Sequence, residues 1–117
     1  MKTKIRAQRS DIARGVKEEV ENIVSQVIEK YKPIKIILFG SAAKGEFDND
    51  SDVDLLVIKE DTPYLGRERA RELRRLIKKN LPVDFLVYRP EEFNERARLG
   101  DPFIRTILRE GEILYDR

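Results

Sequence analysis

The chain is 117 residues long, the size of one ordinary domain and too short for two. It has no Cys and no His, which excludes disulfides, thiolate nucleophiles, thiolate or imidazole metal sites and any triad built on His. Without them, catalysis must run on carboxylates, Lys, Arg, hydroxyls or metals held by oxygen; Lys and Arg number 24 against 22 Asp and Glu, for a net charge of +2.

With 40% hydrophobic residues the chain is not of the disordered class. Folding at this length buries about two-thirds of the surface, enough for a core without staples. No apolar run approaches the roughly 18–20 residues needed to cross a membrane. The polar N-terminus lacks the apolar stretch of a secretory leader, and the cytoplasm is the expected location. Abundant Glu, Lys and Arg with no Cys and one Met match the ion-pair-rich pattern of thermophile proteins. The near-zero net charge hides segregation. Met1–Lys17 carries six basic residues and one acidic, Lys44–Asp61 seven acidic and two basic, and Arg67–Lys79 seven basic and two acidic. Such blocks read either as solvated faces or as a metal site beside a polyanion site.

In chain order, residues 1–9 have little periodicity and read as a loose tail. Ser10 and Asp11 are candidate N-caps of a long amphipathic helix. Along it Ile12, Val16, Val20, Ile23, Val24, Val27, Ile28 and Tyr31 recur at helical spacing, and it must end before Pro33. Ile34–Phe39 is short, β-branched and apolar, a buried strand. Gly40-Ser41 breaks it, Ala42 to Gly45 can form one helical turn, and Phe47–Ser51 is a polar loop. Val53–Ile58 is apolar on both faces and so predicts a central strand. Thr62 and Pro63 can start a second helix over Tyr64–Lys79, with Leu65, Arg69, Leu73, Leu76 and Ile77 along one side and Asn80 at its end. Val83–Tyr88 is a third strand. Pro90 opens a short helix. Asp101-Pro102 cap and start another, closed by Gly111, and Glu112–Tyr115 is a short terminal strand. The order predicts an α/β (α+β) domain over residues 1–117, a small mixed β-sheet flanked by helices.

Three features carry chemistry. Gly40-Ser41, directly after a buried strand, permits a sharp turn and a close backbone approach to a ligand. If Ser41 opens a helical turn, free N–H groups and its hydroxyl make a phosphate cradle, although a plain turn has the same sequence. Asp52-Val53-Asp54 places two carboxylates on one face at a strand start. Like charges so close repel, and a divalent cation with oxygen ligands would reconcile them; an exposed acidic strand end is the simpler alternative. Asp84 interrupts an otherwise apolar strand, where Asp is poorly suited, and is either an exposed strand end or a third ligand on a neighbouring strand.

Together, Gly40-Ser41, ten intervening residues, Asp52-x-Asp54 and an Asp in the next strand resemble the nucleotidyltransferase superfamily of DNA polymerase β type. With the chain's length and the stretch Ile-Arg-Thr-Ile-Leu-Arg-Glu-Gly-Glu-Ile-Leu-Tyr (Ile104–Tyr115), it resembles the minimal nucleotidyltransferase (MNT) family, a likeness running from Ile34 to Tyr115. The resemblance implies the polymerase β-like fold and transfer of a nucleotidyl group, typically AMP from ATP, to a hydroxyl. Asp52 and Asp54 would hold Mg²⁺, and Asp84 would bind a second Mg²⁺ and help activate the acceptor. Gly40 and Ser41 would hold the triphosphate, with Lys44-Gly45 beside them. Many relatives carry Arg where Lys44 stands, so the bidentate fork on phosphate is missing here.

MNT proteins are often partners of HEPN-domain ribonucleases. The resemblance therefore implies an antitoxin of a type VII-like toxin–antitoxin pair that adenylylates a tyrosine of its partner. Larger relatives add domains that recognise their acceptors, and none fits in 117 residues, so another protein is expected to deliver the acceptor. A module that neutralises a partner by complex formation alone, and an enzyme acting on a small-molecule hydroxyl, are the alternatives. Direct nucleic-acid binding is disfavoured because Tyr64 is the one aromatic residue near Arg67–Lys79. A homo-oligomer is compatible with the sequence, and no membrane partner is expected.

Overall fold

The central strands are apolar on both faces, so the sheet they form must be covered on both sides. A computed structural model describes residues 9–45 and 52–117, with the backbone alone for 9–14. In chain order the elements are α1 (Arg9–Tyr31), β1 (Lys35–Phe39), a 3₁₀ turn (Ser41–Lys44), β2 (Val53–Ile58), α2 (Gly66–Leu76), β3 (Val83–Tyr88), α3 (Pro90–Leu99), α4 (Pro102–Glu110) and β4 (Glu112–Asp116). The strands are ordered β3-β2-β1-β4. β2 and β3 run parallel and the other pairs antiparallel, which is the mixed α/β sheet the sequence predicts. The parallel pair is joined through α2, the kind of crossover that parallel neighbours require.

β1 and β2 are central and buried on both faces, hence their unbroken apolar runs. On one face Ile36, Leu38, Leu55, Val57, Phe85 and Val87 pack with Ile23 and Val27 of α1 and Leu73 of α2. On the other, Ile37, Leu56 and Ile58 pack with Phe93 of α3 and Ile104 and Ile107 of α4.

The elements depart from expectation at their ends. α1 already includes Arg9, the first described residue, so Ser10 and Asp11 lie inside the helix rather than capping it. Residues 1–8 of the expected tail and the expected polar loop Phe47–Ser51 lie outside the described residues. The helix expected over Tyr64–Lys79 is only Gly66–Leu76. Thr62 does not cap it, because its hydroxyl pairs with the Tyr31 hydroxyl at 3.1 Å. Pro63 stays outside the helix, its carbonyl accepting from Arg69 Nε. At the far end Ile77 turns extended (φ −107°, ψ 129°) and buries its side chain. α1 holds the segment that follows. The Gln26 amide donates to Lys78 O at 2.7 Å and accepts from Lys78 N at 2.8 Å, and Glu19 accepts from Asn80 N at 2.7 Å. These bonds to α1 replace the helical ones that a continuation to Lys79 would make. Leu65 and Leu76, expected on the buried side, are exposed, whereas Arg69 is 2% exposed.

α3 and α4 start at their prolines as expected. Asp101 caps α4 by accepting from Phe103 N at 2.9 Å. Gly111 ends α4 with an ordinary φ of −76°. It is glycine because a Cβ there would meet Ile107 O at 2.5 Å and Ile37 Cγ2 at 2.8 Å.

Candidate active site

The register of the central strands assembles the site. Phe39, the last residue of β1, stands opposite Asp54 of β2, and Asp54 stands beside Asp84 of β3. Residues in register share a face, so these three form a row across the sheet. It lies on the α3–α4 side, because Asp54 alternates with Leu56 and Ile58, which belong to that core. Asp54 is half-buried, and Asp52 and Asp84 are exposed.

Burial pushes the Asp54 carboxyl above its ordinary pKa, and the negative charges of Asp84 and then Asp52 push it further. Both neighbouring carboxylates therefore act on Asp54. Asp54 and Asp84 are brought together directly, while Asp52 contributes its field from just ahead of β2. Among the described residues no three acidic side chains close into a ready coordination cluster. The donor set is nonetheless all oxygen, and among the described residues no cation is one of the influences on Asp54. That chemistry fits a hard divalent ion, which would relieve the repulsion that burial has left uncompensated.

Gly40 is required twice over. Its φ of +76° is a left-handed conformation that side chains disfavour, and a Cβ on it would collide with the Asp54 carboxylate. The Gly40-Ser41 turn is thus in direct contact with the carboxylate row. Ser41 opens the expected helical turn, a 3₁₀ turn closed by Gly45 in the left-handed region (φ 81°, ψ 10°). The leading N–H groups of such a turn lack partners within it, the property a phosphate would use. Lys44 is held elsewhere, its Nζ 3.6 Å from Glu110 Oε1 of α4. A hydrogen bond from Arg109 and the charge of Lys44 hold the Glu110 carboxyl below its usual range. This pair is solvent-exposed and weak enough for phosphate to displace Glu110.

One neighbour of the site has no signal in the sequence. The Phe39 ring meets that of Phe103, from α4, edge to face with centroids 5.7 Å apart and planes at 88°. Their proximity depends on the β1–β2 register and on how α4 docks, neither of which a single sequence displays. Of the basic blocks in the charge pattern, most of Met1–Lys17 lies outside the residues whose side chains are described. α2, carrying Arg67, Arg71, Arg74 and Arg75, packs on the sheet face opposite the carboxylates. That same opposite face carries a groove of about 300 Å³ between α1 and β4, lined by Val20, Val24, Leu38 and Leu114.

The fold and sequence have counterparts in known proteins. A solved structure from Sulfolobus solfataricus, provisionally named a nucleotidyltransferase, superposes with a TM-score of 0.65 over 97% of this chain and 94% of its own, at 19% identity, and so shares the fold. A protein of Methanocaldococcus jannaschii, provisionally named a protein adenylyltransferase, is 33% identical over 87% of this chain and 96% of its own length. The protein adenylyltransferase MntA of Thermococcus cleftensis is 32% identical over 80% of this chain and 90% of its own. The family model described as a nucleotidyltransferase domain matches residues 20–114, a span that takes in the Gly40-Ser41 turn and the row of aspartates alike, and the chain belongs to that family of enzymes.

Proposed function

We propose that this nucleotidyltransferase moves AMP from ATP to a protein hydroxyl, a tyrosine of a HEPN-domain partner, as the antitoxin of a type VII-like pair. The carrying observation is Asp54, wedged between Gly40 and Asp84 at the end of three adjacent strands. Relatives matched over most of their length and named protein adenylyltransferases support a protein as the acceptor.

In this reading Gly40 and Ser41 bind the triphosphate through backbone N–H groups and the Ser41 hydroxyl, and Lys44, released from Glu110, adds positive charge. Asp52 and Asp54, with Asp84, would hold Mg²⁺, which supplies neutralisation of phosphate charge and acidifies the acceptor when bound. The acceptor oxygen attacks the α-phosphorus, the bond to the β-phosphate breaks, and pyrophosphate leaves. Asp84, exposed beside Asp54, is the carboxylate an incoming hydroxyl reaches and can take its proton. Reactions of this kind need positioning and charge neutralisation more than a His base, which suits a His-free chain.

Neutralisation by complex formation alone is the second reading, favoured by the lack, among the described residues, of a closed three-carboxylate cluster. One experiment separates the two: incubate the protein with its HEPN partner, ATP and Mg²⁺, and weigh the partner by intact mass spectrometry. The expected result is one or more added AMP groups, lost in Asp84→Ala. No added AMP, with Asp84→Ala neutralising the partner equally well, would overturn the catalytic reading in favour of the second.

A further inference from the structure

We infer that Phe103, in edge-to-face contact with Phe39, forms the nucleobase platform of the active site. This rests on the reading that the Gly40–aspartate row binds a nucleoside triphosphate. Phe39 is opposite Asp54 in the β1–β2 ladder, and directly opposed residues on one face have their Cβ atoms about 5 Å apart. It is also the residue immediately before Gly40, so a phosphate chain at the Gly40-Ser41 turn begins beside the Phe39 ring.

α4 brings Phe103 onto that ring in its first turn. The N-cap fixes its position there: Asp101 accepts from the Phe103 backbone N–H at 2.9 Å, and its neighbour Ile104 is fully buried. In the 88° arrangement the rings meet edge to face, which leaves ring surface uncommitted, and Phe103 remains 46% exposed. A rigid, half-exposed aromatic next to a phosphate site is suited to stacking with a flat heterocycle. Stacking is tolerant of base identity, so the platform would add affinity for nucleotides without by itself selecting adenine. An acceptor side chain could use the same ring, but the adjacency of Phe39 to the phosphate turn favours the base.

The test compares binding of ATP and of inorganic tripolyphosphate by calorimetry, in Mg²⁺, for the parent, Phe103→Leu and Phe103→Tyr. Leu keeps apolar bulk against Phe39 and so preserves the fold, and circular dichroism melts check this. Phe103→Leu should weaken ATP binding about ten-fold, leave tripolyphosphate binding unchanged, and be rescued by Phe103→Tyr. A purely structural role would weaken both ligands together or leave both intact, and either outcome overturns the inference. Unchanged ATP binding with slowed transfer to the protein acceptor also overturns it, assigning the ring to the acceptor. If the parent binds neither ATP nor tripolyphosphate, the nucleotidyltransferase reading of the site fails first, which distinguishes the two failures.

Discussion

Asp54 shows what it costs to hold a carboxylate beside two others at the end of a sheet. It lies close against Gly40, and its burial and the charges of Asp84 and then Asp52 raise its pKa. In an ion-free protein the folded state therefore holds the Asp54 proton more tightly than the unfolded chain does. Stability from this group is present at low pH and falls as pH rises through the carboxylate range, so at neutral pH its charge works against folding. Asp54→Asn keeps the shape and removes the charge. Without added metal it should melt above the parent at neutral pH and no higher than the parent in acid, while AMP transfer drops at least about 100-fold. Thermal melts at two pH values and a transfer assay check this. A lower melt at neutral pH would mean the carboxylate is stabilised by something other than a bound cation. The residue pattern was partly legible from sequence. Asp52-x-Asp54 needs only strand alternation to place both carboxylates on one face, and Asp84 stood out as a charge inside an apolar run. That Phe39 faces Asp54 was not legible, because strand register comes from tertiary packing.

At the scale of elements, α2 and α3 are joined through a buried arginine. Arg69 is 2% exposed, and its guanidinium donates to Val87 O at 3.2 Å, Tyr64 O at 2.7 Å and Glu92 Oε1 at 2.6 Å. It ties the segment before α2 to the end of β3 and the first turn of α3. From sequence Arg69 falls on the same side as Leu73 and Ile77, and helical spacing placed it correctly. What spacing could not reveal is that a cation would be buried there, since its partners come from three other segments. The same limit explains the ends of α2, which the side chains of α1 decide through Gln26 and Glu19. Glu92 accepts from Arg69 and from Arg89 N at 2.8 Å, and these bonds hold its carboxyl below the usual Glu range. The sign is opposite to that of Asp54. The Glu92 contribution is fully present above the ordinary Glu pKa and is lost as pH falls through the depressed value. Glu92→Gln should cost about 1 kcal/mol at pH 7, a modest figure because the carboxylate is partly in water. Urea midpoints should converge with the parent's once the pH falls below the depressed pKa. A gap that persists unchanged in acid would assign the loss to packing instead of charge.

For the whole molecule, the two sheet faces divide the work. The larger core, under α1 and α2, carries the basic surface of α2, while the smaller core, under α3 and α4, borders the carboxylates. A net charge near zero thus conceals local segregation, the basic surface of α2 on one side of the sheet and the aspartate row on the other, and that row is built on strands β2 and β3 that are parallel neighbours. A cation shared by Asp54 and Asp84 would link those strands where the charges now push them apart. It would bind the folded chain far better than an unfolded one, in which the two aspartates are 30 residues apart. Binding to the folded state alone stabilises it by RT ln(1 + [L]/Kd), about 2.7 kcal/mol when the ion is at a hundred times its Kd. Millimolar Mg²⁺ should therefore raise the melting temperature and EDTA should reverse the rise. KCl at matched ionic strength should do much less, because screening weakens the repulsion without bridging it. In Asp84→Asn the Mg²⁺ effect should largely disappear, since one of the two bridged strands no longer supplies a charge. An equal rise in that variant, or an equal rise with KCl, would show that the acidic row feels only ionic strength and holds no ion.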